Sequence, residues 1–248
     1  MTRQLLAWVL AVCLSPGLAA ARDITAAEED YIRANAVFFI YHELGHALIE
    51  ILRLPIFGQE EDAADVMGVV LSEKINTPED SEAIMLSTAD NFAYLARQAK
   101  QEGDEPAFWD SHGLDQQRFY TILCLFYGAD PKTRLKLATQ EGLPAERQAS
   151  CPGEYQLAEE SWGPVLEEIA AKGKGDWLFL TIADAPKDRA QEVLLDAVRT
   201  EIGILNQVLD PGQSLDLVFG NCGEPNAFYS ADDGQIVICA ELAGLFVD

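Results

Sequence analysis

The stretch His42-Glu43-Leu44-Gly45-His46 determines how this chain is interpreted. In a helix, His42 and His46 are four residues apart, so both imidazoles leave the same face about one turn apart. Two nitrogens placed in this way can bind one metal ion at about 2.0–2.1 Å. Glu43 is rotated by about 100° from His42 and lies beside the ion, where it can take a proton from water. The pattern predicts a metal-binding helix that carries a general base.

The residues around this motif favour metal binding over a chance pair of core histidines. Val37–Tyr41 precedes the motif, and Ala47–Ile49 with Ile51-Leu52 follows it, so the helix is apolar on nearly every side. A helix of this kind is buried. Two imidazoles and a carboxylate are costly to bury unless they pair with other groups or bind a metal. Neutral, hydrogen-bonded core histidines are the alternative that this argument disfavours.

A catalytic zinc site needs a third protein ligand and an open fourth position. The segment Glu60–Asp65 offers Glu61 and Asp65, which lie four residues apart on one helical face. We expect Glu61 to be the third ligand and Asp65 to accept a hydrogen bond from a histidine N–H, with Asp65 as the rival ligand. An acidic helix start that balances the helix dipole would explain Glu60 and Glu61, but Asp65 lies one turn deeper.

The last of the three histidines, His112, lies in the segment Trp109–Tyr120. A loop histidine is usually only solvated. Here it could instead donate to the oxyanion of a tetrahedral intermediate, a role that is also open to Arg118 or Tyr120. Arg118 could equally form a structural ion pair. Together with Glu43, these three residues are the catalytic candidates.

The N-terminus has the form of a secretory signal peptide. Arg3 precedes the apolar run Leu5–Leu14, and Ala19-Ala20-Ala21 offers a cleavage site. The run is too short to span a bilayer of roughly 30 Å. We therefore expect residues 1–21 to be removed and the protein to be exported to the periplasm or the cell exterior, without stable membrane insertion.

The charge of the chain limits its partners. A formal net charge of −24 argues against binding to nucleic acid and to anionic membranes. The hydrophobic fraction of 49% is normal for a globular protein with a substantial core. Neither value identifies a substrate or an oligomeric state.

The cysteines indicate disulfides. Of the five, Cys13 lies in the predicted signal peptide, and an even number remains in an exported chain. We prefer the local pairs Cys124–Cys151 and Cys222–Cys239 among the three possible connectivities. A site made of four thiolates would need close paired spacings, which this chain lacks.

The spacing of apolar residues predicts helices in the N-terminal part of the chain and strands mainly in the C-terminal part. Thr25 and Glu28 form a capping box for a helix that runs to about Leu54, where Pro55 ends it. Further helices are predicted at residues 60–74, 78–100, 114–127, 131–141, 155–172 and 187–209, and strands at residues 177–182, 215–219, 227–230 and 235–239.

The resulting class is α+β, with a single domain over residues 22–248. Its helical part covers residues 24–172, and residues 177–248 form a small antiparallel or mixed sheet. Asp232-Asp233-Gly234 predicts a hairpin between the last two strands, and a short helix is expected after Cys239.

Longer segments between Phe38 and Trp162 carry a family resemblance. They are His42–Ile49, Leu54–Gly58, Glu60–Asp65, Leu114–Tyr120, Cys124–Pro131 and Cys151 with Glu154-Tyr155. Together they resemble a bacterial metallopeptidase family that is catalogued as a domain of unknown function. The resemblance implies zinc peptidase chemistry on a mostly helical, zincin-like body, with a sheet over the cleft whose edge strand binds extended substrate.

A second family-like stretch consists of Cys222–Tyr229 and Ile236–Leu242. In relatives a similar strand pair precedes the zinc helix, whereas here it follows that helix. The resemblance therefore implies a circularly permuted chain, in which the C-terminal strands complete the same sheet in space. Because of this departure, no role is carried over to Glu241.

These observations predict an exported, HExxH-type zinc metallopeptidase that acts on peptides or proteins. Zn²⁺ would be held by His42, His46 and Glu61, with Glu43 as general base. Three alternatives stay open: a metal-bearing binding or scaffold protein without turnover, a zinc hydrolase of a non-peptide amide such as a cell-wall link, and a disulfide-stabilised structural protein with an accidental motif.

Overall fold

A computed structural model describes residues 23–247, so the predicted signal peptide lies outside the described residues. The helices are α1 (Ala26–Leu52), α2 (Glu60–Ile75), α3 (Pro78–Glu102), α4 (Asp115–Ala129), α5 (Pro131–Gln140), α6 (Ala145–Gln148), α7 (Cys151–Ala171), α8 (Arg189–Val208) and α9 (Leu242–Leu245). The strands are β1 (Leu178–Ile182), β2 (Leu215–Gly220), β3 (Ala227–Ser230) and β4 (Gln235–Cys239). The predicted α+β class is confirmed, with a mostly helical body and a small C-terminal sheet.

Helix α1 begins at the predicted capping box. The backbone N–H of Glu28 donates to Thr25 Oγ1 at 3.2 Å, and the backbone N–H of Thr25 donates to Glu28 Oε2 at 2.6 Å. The helix ends at Leu52, slightly before the expected Leu54. Arg53 adopts a left-handed conformation with a φ of 53°, which stops the helix before Pro55 is reached.

Helix α1 is the centre of the core, because α2, α3 and α8 pack around it and β3 and β4 contact it. Its fully shielded apolar side chains include Ile32, Phe38, Ile40, Tyr41, Leu44, Ala47 and Leu48. Each large apolar side chain buried in this way contributes about 1.5–3 kcal/mol relative to an exposed one. The predicted burial of the motif helix is thus confirmed.

The sheet has the strand order β1-β2-β4-β3. Strand β2 pairs in parallel with both β1 and β4, whereas β3 pairs antiparallel with β4. The turn that joins β3 to β4 is the predicted hairpin, and Gly234 supplies the positive φ of 63° that this turn requires. Strand β3 is therefore an edge strand, and its free side faces α1.

Two disulfides join the cysteines in the preferred local pairs. Cys124–Cys151 links α4 to α7, and Cys222–Cys239 links the segment after β2 to the end of β4. Two bonds of this kind fit an oxidising, exported environment. Within residues 23–247, none of the helices combines the length and the apolar character that crossing a membrane requires.

The end of the described chain lies beside its beginning. The ring of Phe246, just after α9, packs edge-on against Tyr31 of α1 with a centroid distance of 6.3 Å. The last strands therefore lead, in space, to the start of the motif helix. The permuted order of segments itself stays a prediction.

A buried carboxyl group ties α8 to α1. Glu201 is 2% exposed, and the hydroxyl of Tyr41 donates to its Oε1 at 2.7 Å. Asn76 Nδ2 in turn donates to the Tyr41 hydroxyl at 3.2 Å. Burial raises the pKa of Glu201 from 4.5 to about 7, since the charged form is poorly solvated there.

This group should make stability depend on pH. A carboxyl whose folded pKa exceeds its unfolded pKa destabilises the fold as pH rises from about 4.5 to 7. We expect Glu201→Gln, which keeps an acceptor for Tyr41, to gain roughly 2–3 kcal/mol of unfolding free energy relative to wild type between about pH 5 and pH 8. Urea unfolding at a series of pH values measures this difference, and parallel curves for the two proteins would contradict it.

Candidate metal centre

The close approach of α1 and α2 creates the site. Gly45 is buried in α1, and a Cβ atom at this position would lie only 3.0 Å from Ala64 Cα and 3.2 Å from Ala64 Cβ in α2. The two helices can approach this closely because Gly45 has no side chain. Glu61 lies in the first turn of α2, about one turn before Ala64, so the close approach at Ala64 brings it to the histidines of α1.

Three ligand atoms converge on one point between these helices. His42 Nε2 lies 3.3 Å from His46 Nε2 and 3.2 Å from Glu61 Oε2, and His46 Nε2 lies 3.3 Å from the same oxygen. Ligands of a tetrahedral ion with bonds of about 2.0–2.1 Å are themselves separated by about 3.3 Å. The donor set and its spacing fit a metal ion.

Carboxylates on the outer side fix both histidine rings. His42 Nδ1 lies 2.8 Å from Asp65 Oδ1, and His46 Nδ1 lies 2.8 Å from Glu60 Oε1. Hydrogen bonds at Nδ1 direct Nε2 toward the common point. Asp65 lies where the sequence predicted it, but the contact of Glu60 was missed, because Glu60 was explained by the helix dipole alone.

Arg118 is turned toward Asp65. Its Nε and Nη2 donate to Asp65 Oδ2 and Oδ1 at 2.8 and 2.7 Å, and its guanidinium lies 4.0 Å above the ring of Phe92. Burial opposes ionisation of Asp65, yet Arg118 and His42 hold its pKa well below the usual range. These contacts fit the structural ion pair, which was one of the two alternatives for Arg118.

His112 joins the cluster from the segment between α3 and α4. Its Nε2 lies 2.9 Å from Glu61 Oε2, and His42, Glu61 and His112 each offer a ligand atom within 4.8 Å of the others. Asp110 Oδ1 accepts from the backbone N–H of His112 at 2.9 Å and lies 3.4 Å from its Nδ1. The imidazole is thus held at the mouth of the site.

Tyr120 lies away from the cluster. Its ring packs against Phe119 with a centroid distance of 4.8 Å, and it belongs to a second apolar cluster around Cys124 and Tyr127. Arg118 and Tyr120 are two residues apart in α4, so their side chains point in nearly opposite directions. The expectation that Tyr120 serves the site is therefore not met.

Glu43 lines a cleft of about 530 Å³ between α1 and β3. Its side chain is buried, which raises its pKa, and the backbone N–H of Tyr229 donates to its carboxylate. This contact of Tyr229 was missed, since only the fold brings β3 to α1. The cleft is lined by His42, Glu43, His46, Ile49, Glu50, Glu60, Glu61, His112, Asn226–Tyr229 and Ala231.

The site concentrates opposite charges. Burial disfavours the imidazolium of His42, but hydrogen bonds with Asp65 and Glu61 raise its pKa to about 9. Burial likewise disfavours the Glu61 carboxylate, while contacts with His112, His42 and His46 lower its pKa strongly. Glu61 thus carries its charge among nitrogen donors, as a metal ligand must.

Comparison with known proteins assigns a family. The model of the family DUF4344, described as "Putative metallopeptidase", matches residues 17–166, which is more than half of the chain. The matched region contains every candidate metal ligand and ends before the first strand of the sheet. Neither a curated protein nor a solved structure matches this chain.

Adding a side chain at Gly45 should move Glu61 away from His42 and His46. We expect Gly45→Ala to lower the unfolding free energy by about 1–3 kcal/mol, because α1 and α2 must move apart, and to weaken metal binding. Gly203→Ala, in α8, is the matched control. A Cβ atom at this position meets nothing within 4 Å, so the substitution should raise the unfolding free energy by up to about 1 kcal/mol. Thermal unfolding and chelator competition measure both effects; equal metal affinity in the two variants would refute the role of Gly45.

Proposed function

The chain belongs to the DUF4344 metallopeptidase family, and on this premise we propose that it is an exported, HExxH-type zinc peptidase. One observation carries the proposal. His42 Nε2, His46 Nε2 and Glu61 Oε2 meet at 3.2–3.3 Å from one another, with the buried carboxylate of Glu43 beside them in an open cleft.

His42, His46 and Glu61 would hold the metal. Two imidazoles and one carboxylate are a donor set of catalytic zinc sites. When bound, zinc supplies a Lewis acid that polarises the scissile carbonyl and makes water more acidic. Asp65 and Glu60 keep the two imidazoles oriented, and Arg118 keeps Asp65 charged and in place.

Glu43 would act as the general base. Helical geometry places it on the cleft side of α1 beside the two histidines, and the Tyr229 N–H fixes its carboxylate. In this position it takes a proton from the attacking water and passes it to the leaving amine as the C–N bond breaks. Proton uptake and delivery by one positioned group typically contribute about 10²–10⁴-fold.

His112 would stabilise the oxyanion. Its Nε2 lies at the mouth of the site, 2.9 Å from Glu61, and Asp110 accepts from its backbone while approaching its other ring nitrogen. A donor held near the reacting carbonyl stabilises the charge that develops in the transition state. Arg118 is committed to Asp65 and Tyr120 lies elsewhere, so neither shares this role.

The edge strand β3 favours a peptide over another amide. The backbone N–H of Cys239 donates to Asn226 O at 3.0 Å, so alternate residues of β3 face β4. The backbone groups of Ala227 and Tyr229 then face the cleft, and the Tyr229 N–H does reach Glu43. An extended peptide can pair with such an edge, whereas a sugar-linked amide cannot use it in the same way.

Replacing the base should separate binding from turnover. We expect Glu43→Gln to retain stoichiometric zinc and to lose at least about 100-fold in peptide cleavage, because no carboxylate is left to accept the proton. Metal analysis, with mass spectrometry of a digested peptide library, measures both. Retained cleavage would exclude Glu43 as the base, and a zinc-loaded wild type that cleaves no peptide would favour a binding protein or a non-peptide amide.

Three matched carboxylate-to-amide variants should show how much each carboxylate contributes to zinc affinity. We expect zinc affinity to fall most in Glu61→Gln, by more than about 100-fold, and by about 10–100-fold in Asp65→Asn, which acts through His42. Glu60→Gln should change it least, since Glu60 is half exposed and contacts the outer nitrogen of His46, not the nitrogen that faces the metal position. Competition with a chromophoric chelator measures the order, and a larger loss in Asp65→Asn than in Glu61→Gln would make Asp65 the ligand.

A further inference from the structure

One carboxylate in the cleft has no part in the chemistry proposed above. Glu50 follows His46 by four residues, as His46 follows His42, so these three side chains share one face of α1. Glu50 therefore lies one turn beyond the metal ligands, about 6 Å along the helix axis. It lines the same cleft and is exposed to solvent there.

Tyr229 fixes Glu50 beneath the edge strand. Its hydroxyl donates to the Glu50 carboxylate, while its backbone N–H donates to Glu43. Burial and the nearby Glu50 charge raise the pKa of Tyr229 to about 12, so it remains a neutral donor. One residue of β3 thus bridges the position of the base and a carboxylate farther along the cleft.

The charge of the cleft would stay negative after metal binding. Among residues 23–247, its lining includes Glu43, Glu50, Glu60 and Glu61 but neither lysine nor arginine. A divalent ion would offset two of these four charges and a protonated His112 a third, so the balance would stay negative. The chain as a whole carries −24, so its field reinforces the local one. A negative cleft concentrates cationic ligands and repels anionic ones.

We propose that Glu50 selects substrates with a lysine or arginine side chain close to the scissile bond. This inference rests on the proposed peptidase function and specifies its substrate class. An extended peptide advances about 3.3 Å per residue, so a carboxylate about 6 Å beyond His46 meets the side chain one or two residues from the reacting carbonyl. The ring of Tyr229 beside Glu50 offers an apolar surface for the methylene groups of that side chain.

A free N-terminal amine carries the same charge and is the other source of a cation. The two cations lie at different distances from the peptide backbone. The N-terminal amine is attached directly to the backbone, whereas the lysine ammonium is separated from it by four methylene groups. Peptides blocked at both ends remove the amine and leave the side chain, so they separate the two sources.

Binding to an inactive protein tests the proposal without turnover. The probe is a set of blocked alanine hexapeptides with one lysine placed at each position in turn, and each peptide is compared with its acetyl-lysine twin. On zinc-loaded Glu43→Gln, we expect lysine to bind about three- to tenfold more tightly at one or two adjacent positions. Fluorescence anisotropy measures this, and the preference should shrink as salt rises from about 0.05 to 0.5 M.

Matched variants locate the preference. Adding Glu50→Gln should abolish it, whereas adding Glu79→Gln, which removes an exposed charge at the start of α3, should leave it unchanged. Tyr229→Phe keeps the Glu50 charge and should retain most of the preference.

The outcomes are separable from those of the proposed function. Equal binding of each lysine peptide and its acetylated twin, or a preference that survives Glu50→Gln, would overturn the proposal and leave a peptidase without this specificity. A preference that appears only with a free N-terminus would assign Glu50 to the amine instead. If the preference holds while the zinc-loaded wild type cleaves none of the peptides, the cationic selectivity stands and the peptidase function fails.

Discussion

The contact of Gly45 with Ala64 is the constraint on which the rest of the site depends. A helix by itself supplies two histidines with the correct spacing, but a third ligand must come from another element. Glycine inside a helix costs about 1 kcal/mol relative to alanine. This cost is offset here because the bare backbone lets α2 approach until Glu61 lies within 3.3 Å of both imidazoles.

Behind the ligands, buried charges are arranged so that each has a partner. His42, Asp65 and Arg118 form a row of alternating charge, and the face of Phe92 covers its end. A charge buried without a partner would cost several kcal/mol of folding free energy. Removing any member of the row would therefore destabilise the fold by leaving its neighbour unpaired. The row lines one side of the site, and the cleft opens on the side toward β3.

Sequence predicted those features that depend on neighbours along the chain. The capping box at Thr25, the four-residue spacings and the hairpin before β4 are local, and the structure contains all of them. The contacts of Glu60 with His46 and of Tyr229 with Glu43 depend on how distant elements meet, and no local pattern encodes them. The position of Tyr120, in contrast, could have been predicted from the sequence. In a helix, a residue two positions from Arg118 points to nearly the opposite face, away from the site.

The distance along the chain between α1 and β3 also determines when the cleft can form. Helix α1 precedes β3 in the chain by about 175 residues, so α1 is synthesised well before the strand that walls the cleft. Until then the apolar face of α1 lacks its cover, and Glu43 lacks the N–H that holds it. A nascent chain that has not yet reached β3 therefore carries the histidines without this cleft, so the cleft can assemble only after β3 has been made.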